Sequence, residues 1–301
     1  MGGDLQSDLP DNRICVKIMS WNLFVSLWSW DPSVILGCAG LIVGYLAIVR
    51  PRKSWKTVWF IAGVVTMFVA LESPLDTLGD TYLFSAHMLQ HLMLTFAVPP
   101  LLLIGIPKTL MQKILDWPLA DRVERILGRP AVAWVIANVT LWVWHIPVLY
   151  NATLENEFIH AFEHLLFLIT WTIFWWPMLS PVESRRMAPL ATIPYTFAAG
   201  VSNSFLGILL TYAQPGIYPE YVNPVDEYGA LHLIRNVWGI TPLVDQQLGG
   251  LFMWVPGMLV FLFAAMAGLS RWYHTPDEPY DVSQPNSLGD KTINQSPLEE
   301  V

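Results

Sequence analysis

The sequence predicts an all-α polytopic membrane protein, and three observations carry that expectation. Hydrophobic side chains make up 54% of the 301 residues and charged ones 13%, where a soluble domain has roughly 25% charged residues. Mean hydropathy is +0.44. The apolar residues gather into stretches near the length of about 20 that a helix needs to cross hydrocarbon, and Lys and Arg fall unevenly between alternate connections.

The first element predicted is a helix over 14–30. Apolar residues at 14, 18, 21, 25 and 28, with Lys17, Ser20, Asn22, Ser26 and Ser29 between them, give a helical period with a polar side. Residues 1–30 read as an outer segment whose helix lies in the interface. An eighth span there fits the charge distribution worse. The first 13 residues are acidic and polar without a basic stretch, so no cleavable signal is expected.

Seven stretches follow, at 33–49, 55–71, 82–106, 130–150, 158–179, 191–212 and 248–270, making a membrane domain over 31–272. Pro99 and Pro100 remove backbone donors from the third and predict a kink there. Residues 273–301 are rich in Pro, Ser, Asn and Asp and predict a disordered cytoplasmic tail. No internal repeat is evident, so the inverted-repeat signature of many secondary transporters is missing.

Of the 16 Lys and Arg residues, 13 fall on one side of this arrangement, and Arg13, Lys17 and Arg235 on the other. Positive connections stay in the cytoplasm, which predicts the N-terminus outside and the C-terminus inside. A net charge of -8 argues against neutralising phosphates along nucleic acid. Cys15 and Cys38 form neither a paired motif nor a disulfide framework, so metal chemistry falls to His, Met or carboxylate.

Six of the seven histidines then lie toward the outside. His87/His91 and His160/His164 have i,i+4 spacing, which sets both rings on one helix face within reach of a shared ion. His145 lies near the outer end of the fourth stretch. A lone histidine at such depth is well explained by an interhelical hydrogen bond. Five at similar depth on three consecutive spans point to metal ligation.

Glu163 lies within His160-Ala161-Phe162-Glu163-His164, a literal match to the inverted zincin pattern. No convincing downstream ligand accompanies it, and an enzyme is not expected. Glu163, the soft thioether of Met88, and Asp245 are possible additional ligands, although Asp245 could equally cap the last helix. Met93 and Met253 also have outer positions, and most methionines here serve packing. Trp142, Trp144, Trp171, Trp175 and Trp176 read as interfacial belts.

Three blocks resemble a known family. The first is Ser85-Ala86-His87-Met88-Leu89-Gln90-His91 running into Val98-Pro99-Pro100. The second joins Trp144-His145-Ile146-Pro147, the His160–His164 motif and Phe174-Trp175-Trp176-Pro177. The third is Asp245-Gln246-Gln247-Leu248-Gly249-Gly250 with Met253-Trp254-Val255-Pro256-Gly257. Together they resemble the multi-pass CtaG-type cytochrome c oxidase assembly factors of bacteria, not the single-span, cysteine-bearing copper chaperone of similar name.

The resemblance implies a seven-span plasma-membrane protein needed to make an active caa-type haem-copper oxidase, with a role in supplying copper. Its partners would be the oxidase subunits and the lipid bilayer. His87, His91, His145, His160 and His164 carry over as motif histidines; His232 does not. Copper, as opposed to another metal, comes mainly from this resemblance. Two other readings of the residues stay open, a bis-histidine haem membrane cytochrome and a metal or proton permease. The permease would need polar residues continuing toward the inner side, where Asn138, Ser202, Asn203 and Ser204 offer few.

Overall fold

The computed structural model describes residues 21–50 and 54–275, and every regular element among them is helical. The predicted interfacial helix is seen over 21–26; residues 14–20 and the tail from 276 lie outside the described residues. The chain then turns through Trp30, which has a positive φ of 76°. Helix α1 (Pro32–Ile48) starts with Asp31 accepting from the Ser33 amide and proline at its first position, where the missing amide hydrogen costs nothing.

Helix α2 (Trp55–Glu72) ends on the fully buried Glu72. That carboxylate accepts the backbone amides of Trp30 at 2.7 Å and Asp31 at 3.0 Å, which fastens the N-terminal segment to this end of the bundle. Ser73 closes α2 and caps the short α3 (Pro74–Thr81), an element without counterpart in the apolar pattern.

The third apolar stretch is α4 (Phe84–Leu92), a π-helical turn over Met93–Ala97, and α5 (Val98–Gly105). The prolines leave carbonyls without their usual i+4 donor. Trp175 replaces the one lost at Pro99, its Nε1 donating to the Thr95 carbonyl at 2.9 Å. The path stays continuous enough to count as one 22-residue apolar span.

Helices α6 (Lys108–Leu115) and α7 (Pro118–Leu127) lead into α8 (Pro130–Trp144), with a 73° bend between α7 and α8. The fourth stretch, expected as one helix to 150, breaks at His145 and resumes as α9 (Pro147–Glu155). Pro147 is the cause: its ring pushes the preceding residue out of the helical region, and Ile146 has ψ 126°. Helices α10 (Glu157–Leu179), α11 (Thr192–Tyr212) and α12 (Pro242–Tyr273) complete the bundle.

Five helical stretches among the described residues are long and apolar enough to cross a membrane, and six if the bent α7–α8 pair forms one span. Helix α1 is apolar but shorter, at 17 residues. The outside of the bundle suits lipid, with Leu36, Phe197 and Phe263 each about two-thirds exposed or more. Inside, Trp171, Phe174 and Phe261 interlock in the largest core cluster. Helices α11 and α12 approach closely at Gly207 and Gly250, where a Cβ on Gly207 would come within 2.8 Å of the Gly250 carbonyl. Small residues allow such packing where lipid supplies no hydrophobic drive between helices.

Candidate metal centre

Helix geometry assembles the histidines. The i,i+4 pairs stack on α4 and on the first turns of α10, with ring centroids 4.2 Å apart for His87/His91 and 4.1 Å for His160/His164. The two helices face each other, bringing His87 and His160 to 5.3 Å and His91 and His164 to 5.2 Å. Glu163 lies one residue before His164 and points into the same space, with Oε2 3.9 Å from His87 Nε2 and 4.0 Å from His91 Nε2. Ligand atoms of His87, His160, Glu163 and His164 all fall within 4.8 Å of one another.

The hydrogen-bond inventory of this group is unusual. Both ring nitrogens of His87 and His91, Nε2 of His160 and His164, and both Glu163 oxygens are buried without a hydrogen-bond partner. A buried polar atom left bare costs about 1–3 kcal/mol, and native structures avoid it. So many in one place fit a bound cation, for which imidazole and carboxylate are suitable donors.

His145 stands apart. Its Nδ1 is 2.7 Å from the Leu141 carbonyl, which has only lone pairs to offer, so Nδ1 carries the proton and donates. In the neutral ring, Nε2 then presents a lone pair to the Met88 thioether 3.5 Å away. Two acceptors thus face each other. They border a cavity of about 20 Å³ that His91 and Met253 also line, room for one water-sized occupant.

Asp245, a candidate ligand from the sequence, is occupied elsewhere. It accepts the amides of Phe84 at 2.8 Å and Ser85 at 3.0 Å, and the Ser85 hydroxyl at 2.5 Å. It therefore supplies the first turn of α4 with the acceptor that Leu83 cannot. The cap of α12 itself is Thr241.

Asp80, on α3, escaped the sequence reading. Its side chain is 34% exposed, with Oδ2 3.4 Å from His160 Nδ1 and Oδ1 3.7 Å from His87 Nδ1. It abuts both helices of the group, with Oδ1 buried and without a hydrogen-bond partner while the side chain keeps partial exposure. Burial raises its pKa to about 6, against the opposing pull of His160. The neighbouring Asp76 is raised to about 7 by burial and by Asp80, and it accepts from Gln90 Nε2 at 2.5 Å. Gly79 permits this approach, since a Cβ there would lie 2.9 Å from the His87 amide nitrogen.

Tyrosines close the other side. Tyr150 packs on His87 at 5.2 Å and meets the Tyr221 hydroxyl at 3.0 Å; Tyr221 donates to the Gly79 carbonyl and Tyr218 to that of His145. Burial pushes the Tyr218 and Tyr221 hydroxyls up, so they stay protonated donors. Only the chemistry of Asp80, an acid seven residues before His87, could have hinted at this shell.

Bundle and site together define a class, a helical membrane protein with a buried imidazole–carboxylate cluster near one end. Within that class the chain belongs to the family of cytochrome c oxidase caa3 assembly factors, which matches residues 42–275. An uncharacterized protein of Mycobacterium leprae is 24% identical over 273 residues, covering 83% of this chain and 40% of its own. Relatives from Mycobacterium bovis and Mycobacterium tuberculosis are 23% identical over 273 residues, covering 82% of this chain and 40% of theirs. The chain thus spans about two fifths of the length of these curated relatives. No solved structure matches it.

Proposed function

We propose that this protein is a non-enzymatic assembly factor that holds copper at the histidine cluster and supplies it to a haem-copper cytochrome c oxidase in the bacterial plasma membrane. The observation that carries this reading is the set of buried, unpartnered donor atoms on His87, His91, His160, Glu163 and His164. His87, His160, Glu163 and His164 hold the ion, and His91 adjoins them. The thioethers of Met88 and Met253 beside His145 supply soft donors, which favour Cu(I) over zinc.

The topology belongs to the same proposal. Seven spans, with α1 and the bent α7–α8 pair each crossing once, put the N-terminus outside and the cluster near the outer surface. Copper from outside then reaches the cluster past Asp80 and leaves sideways to an oxidase subunit in the bilayer.

The test is metal loading of the full-length, detergent-purified protein with Cu(I), Cu(II) or Zn(II), followed by elemental analysis and chelator competition. His87→Ala and His164→Ala should each weaken copper binding about tenfold or more, whereas His232→Ala and His274→Ala should change it little. Copper affinity unchanged in the His87→Ala, His164→Ala double variant would overturn the reading. So would an intense Soret band in the purified protein, which would mark a haem site instead.

A further inference from the structure

The end of the bundle away from the histidines carries a second cavity, of about 290 Å³, between α2, α5, α10, α11 and α12. Its walls are apolar, formed by side chains such as Leu103, Trp175, Met178 and Ala264. Lys56, Arg186 and Arg271 also line it, and no carboxylate among the described residues does.

These three cations are held by neutral oxygens. Lys56 Nζ donates to the Ile106 carbonyl at 3.2 Å and Arg186 Nε to the Ser180 carbonyl at 2.8 Å. Arg271 donates to the Met178 carbonyl at 3.2 Å and the Thr192 hydroxyl at 3.3 Å. Arg185, next in sequence to Arg186, pairs with both Asp121 and Glu124. The contrast matters, because acids are near enough to neutralise Arg185 while three positive charges remain around an apolar slot.

We propose that this cavity binds an anionic glycerophospholipid, its phosphate against Lys56, Arg186 and Arg271 and the upper part of one acyl chain in the slot. A basic pocket between membrane helices is suited to an acidic lipid headgroup. The volume lies at the lower edge of the roughly 300–1,000 Å³ of ordinary ligand pockets, so it takes a headgroup and a chain segment, not a whole lipid. Ile104 and Ala267, both exposed lining residues, leave the slot open to the surrounding acyl chains.

The experiment is native mass spectrometry of the full-length protein in detergent, titrated with phosphatidylglycerol or phosphatidylcholine of matched chains, with and without inorganic phosphate. Phosphatidylglycerol should bind at least about tenfold more tightly than phosphatidylcholine. Arg186→Gln and Arg271→Gln should each cost about fivefold, the effect of one cation near an anionic lipid surface. Ala267→Trp, which fills the slot and leaves the charges, should abolish the preference, and Arg122→Gln should not alter it. Phosphatidylglycerol should also raise the melting temperature of the wild type and not that of Ala267→Trp, a readout that stands if a charge variant folds poorly. Equal binding of the two lipids, or wild-type affinity in Ala267→Trp, would overturn the proposal. Displacement of the lipid by millimolar inorganic phosphate would overturn it too, by making the rim a simple anion site.

Discussion

At the scale of single residues, Asp80 brings its two oxygens to 3.7 Å from Nδ1 of His87 and 3.4 Å from Nδ1 of His160, ion-pair distances without a hydrogen bond. A carboxylate so placed lowers the electrostatic cost of a cation held between the rings. Asp80→Asn is therefore expected to weaken copper binding about tenfold without unfolding the protein, as read by chelator competition and melting temperature; unchanged affinity would reduce Asp80 to a surface acid. Asp245→Ala should act on stability instead, lowering the melting temperature because it strands two backbone amides and a hydroxyl, at about 1–3 kcal/mol for each group left buried and bare. The histidine pairs were legible from sequence because i,i+4 spacing is a property of one helix. The employment of Asp245 was not, since its partners lie 160 positions away, and no local pattern records such a contact. His145 shows the same limit: its depth followed from the hydropathy, but its two partners depend on how α8 ends.

Among the elements, the stretch from Phe84 to Gly105 depends most on its neighbours. Its π-helical turn and the prolines after it free carbonyls inside the bundle, and the Trp175 indole satisfies the Thr95 carbonyl. Trp175→Phe keeps the ring and removes the donor. It is expected to destabilise the protein by about 1–3 kcal/mol, seen as a lower melting temperature, while Trp176→Phe loses a hydrogen bond to the half-buried end of α7 and should cost less. An equal loss in both would show that the indole donor has no special role. Five of the seven apolar stretches correspond to helical segments within about two residues of their expected ends, and the seventh begins six residues early, at Pro242, because the polar turn around Asp245 and Gln246 is helical too. The fourth differs because Pro147 overrides hydropathy, ending α8 after 15 residues. Helix α3 was invisible for a related reason, being only eight residues long and largely polar, capped by Ser73 and packed through just Leu75 and Leu78 against the cluster around Tyr82, Leu83 and Ala86.

For the whole molecule, the distribution of charge and the placement of the cluster make one linked prediction. On the proposed seven-span arrangement 13 Lys and Arg fall on one side and three on the other, so a reporter fused after Arg271 should behave as cytoplasmic and one placed between 212 and 242 as external. The reverse at either position would move the cluster to the inner surface. In cells, loss of the protein should leave oxidase subunits present but short of active haem-copper centre. Added copper should partly restore oxidase activity in a His164→Ala strain by mass action on the remaining ligands, and not in a Leu168→Lys strain, where a charge in hydrocarbon costs at least about 2.5 kcal/mol. Full oxidase activity in a strain carrying alanine at His87, His91, His160 and His164, with normal protein levels, would separate assembly from the cluster.

The bond from Asp245 to the start of α4 also sets a clock. The chain is made from its N-terminus, so His87 and His91 are in the membrane long before the residue that anchors their helix has been translated. Until α12 arrives, the first turn of α4 lacks its acceptor, and a nascent or truncated chain ending before residue 245 carries His87 and His91 on an unsecured helix. If these side chains hold an ion as proposed, a chain truncated before residue 245 is expected to bind it more weakly than the full-length protein.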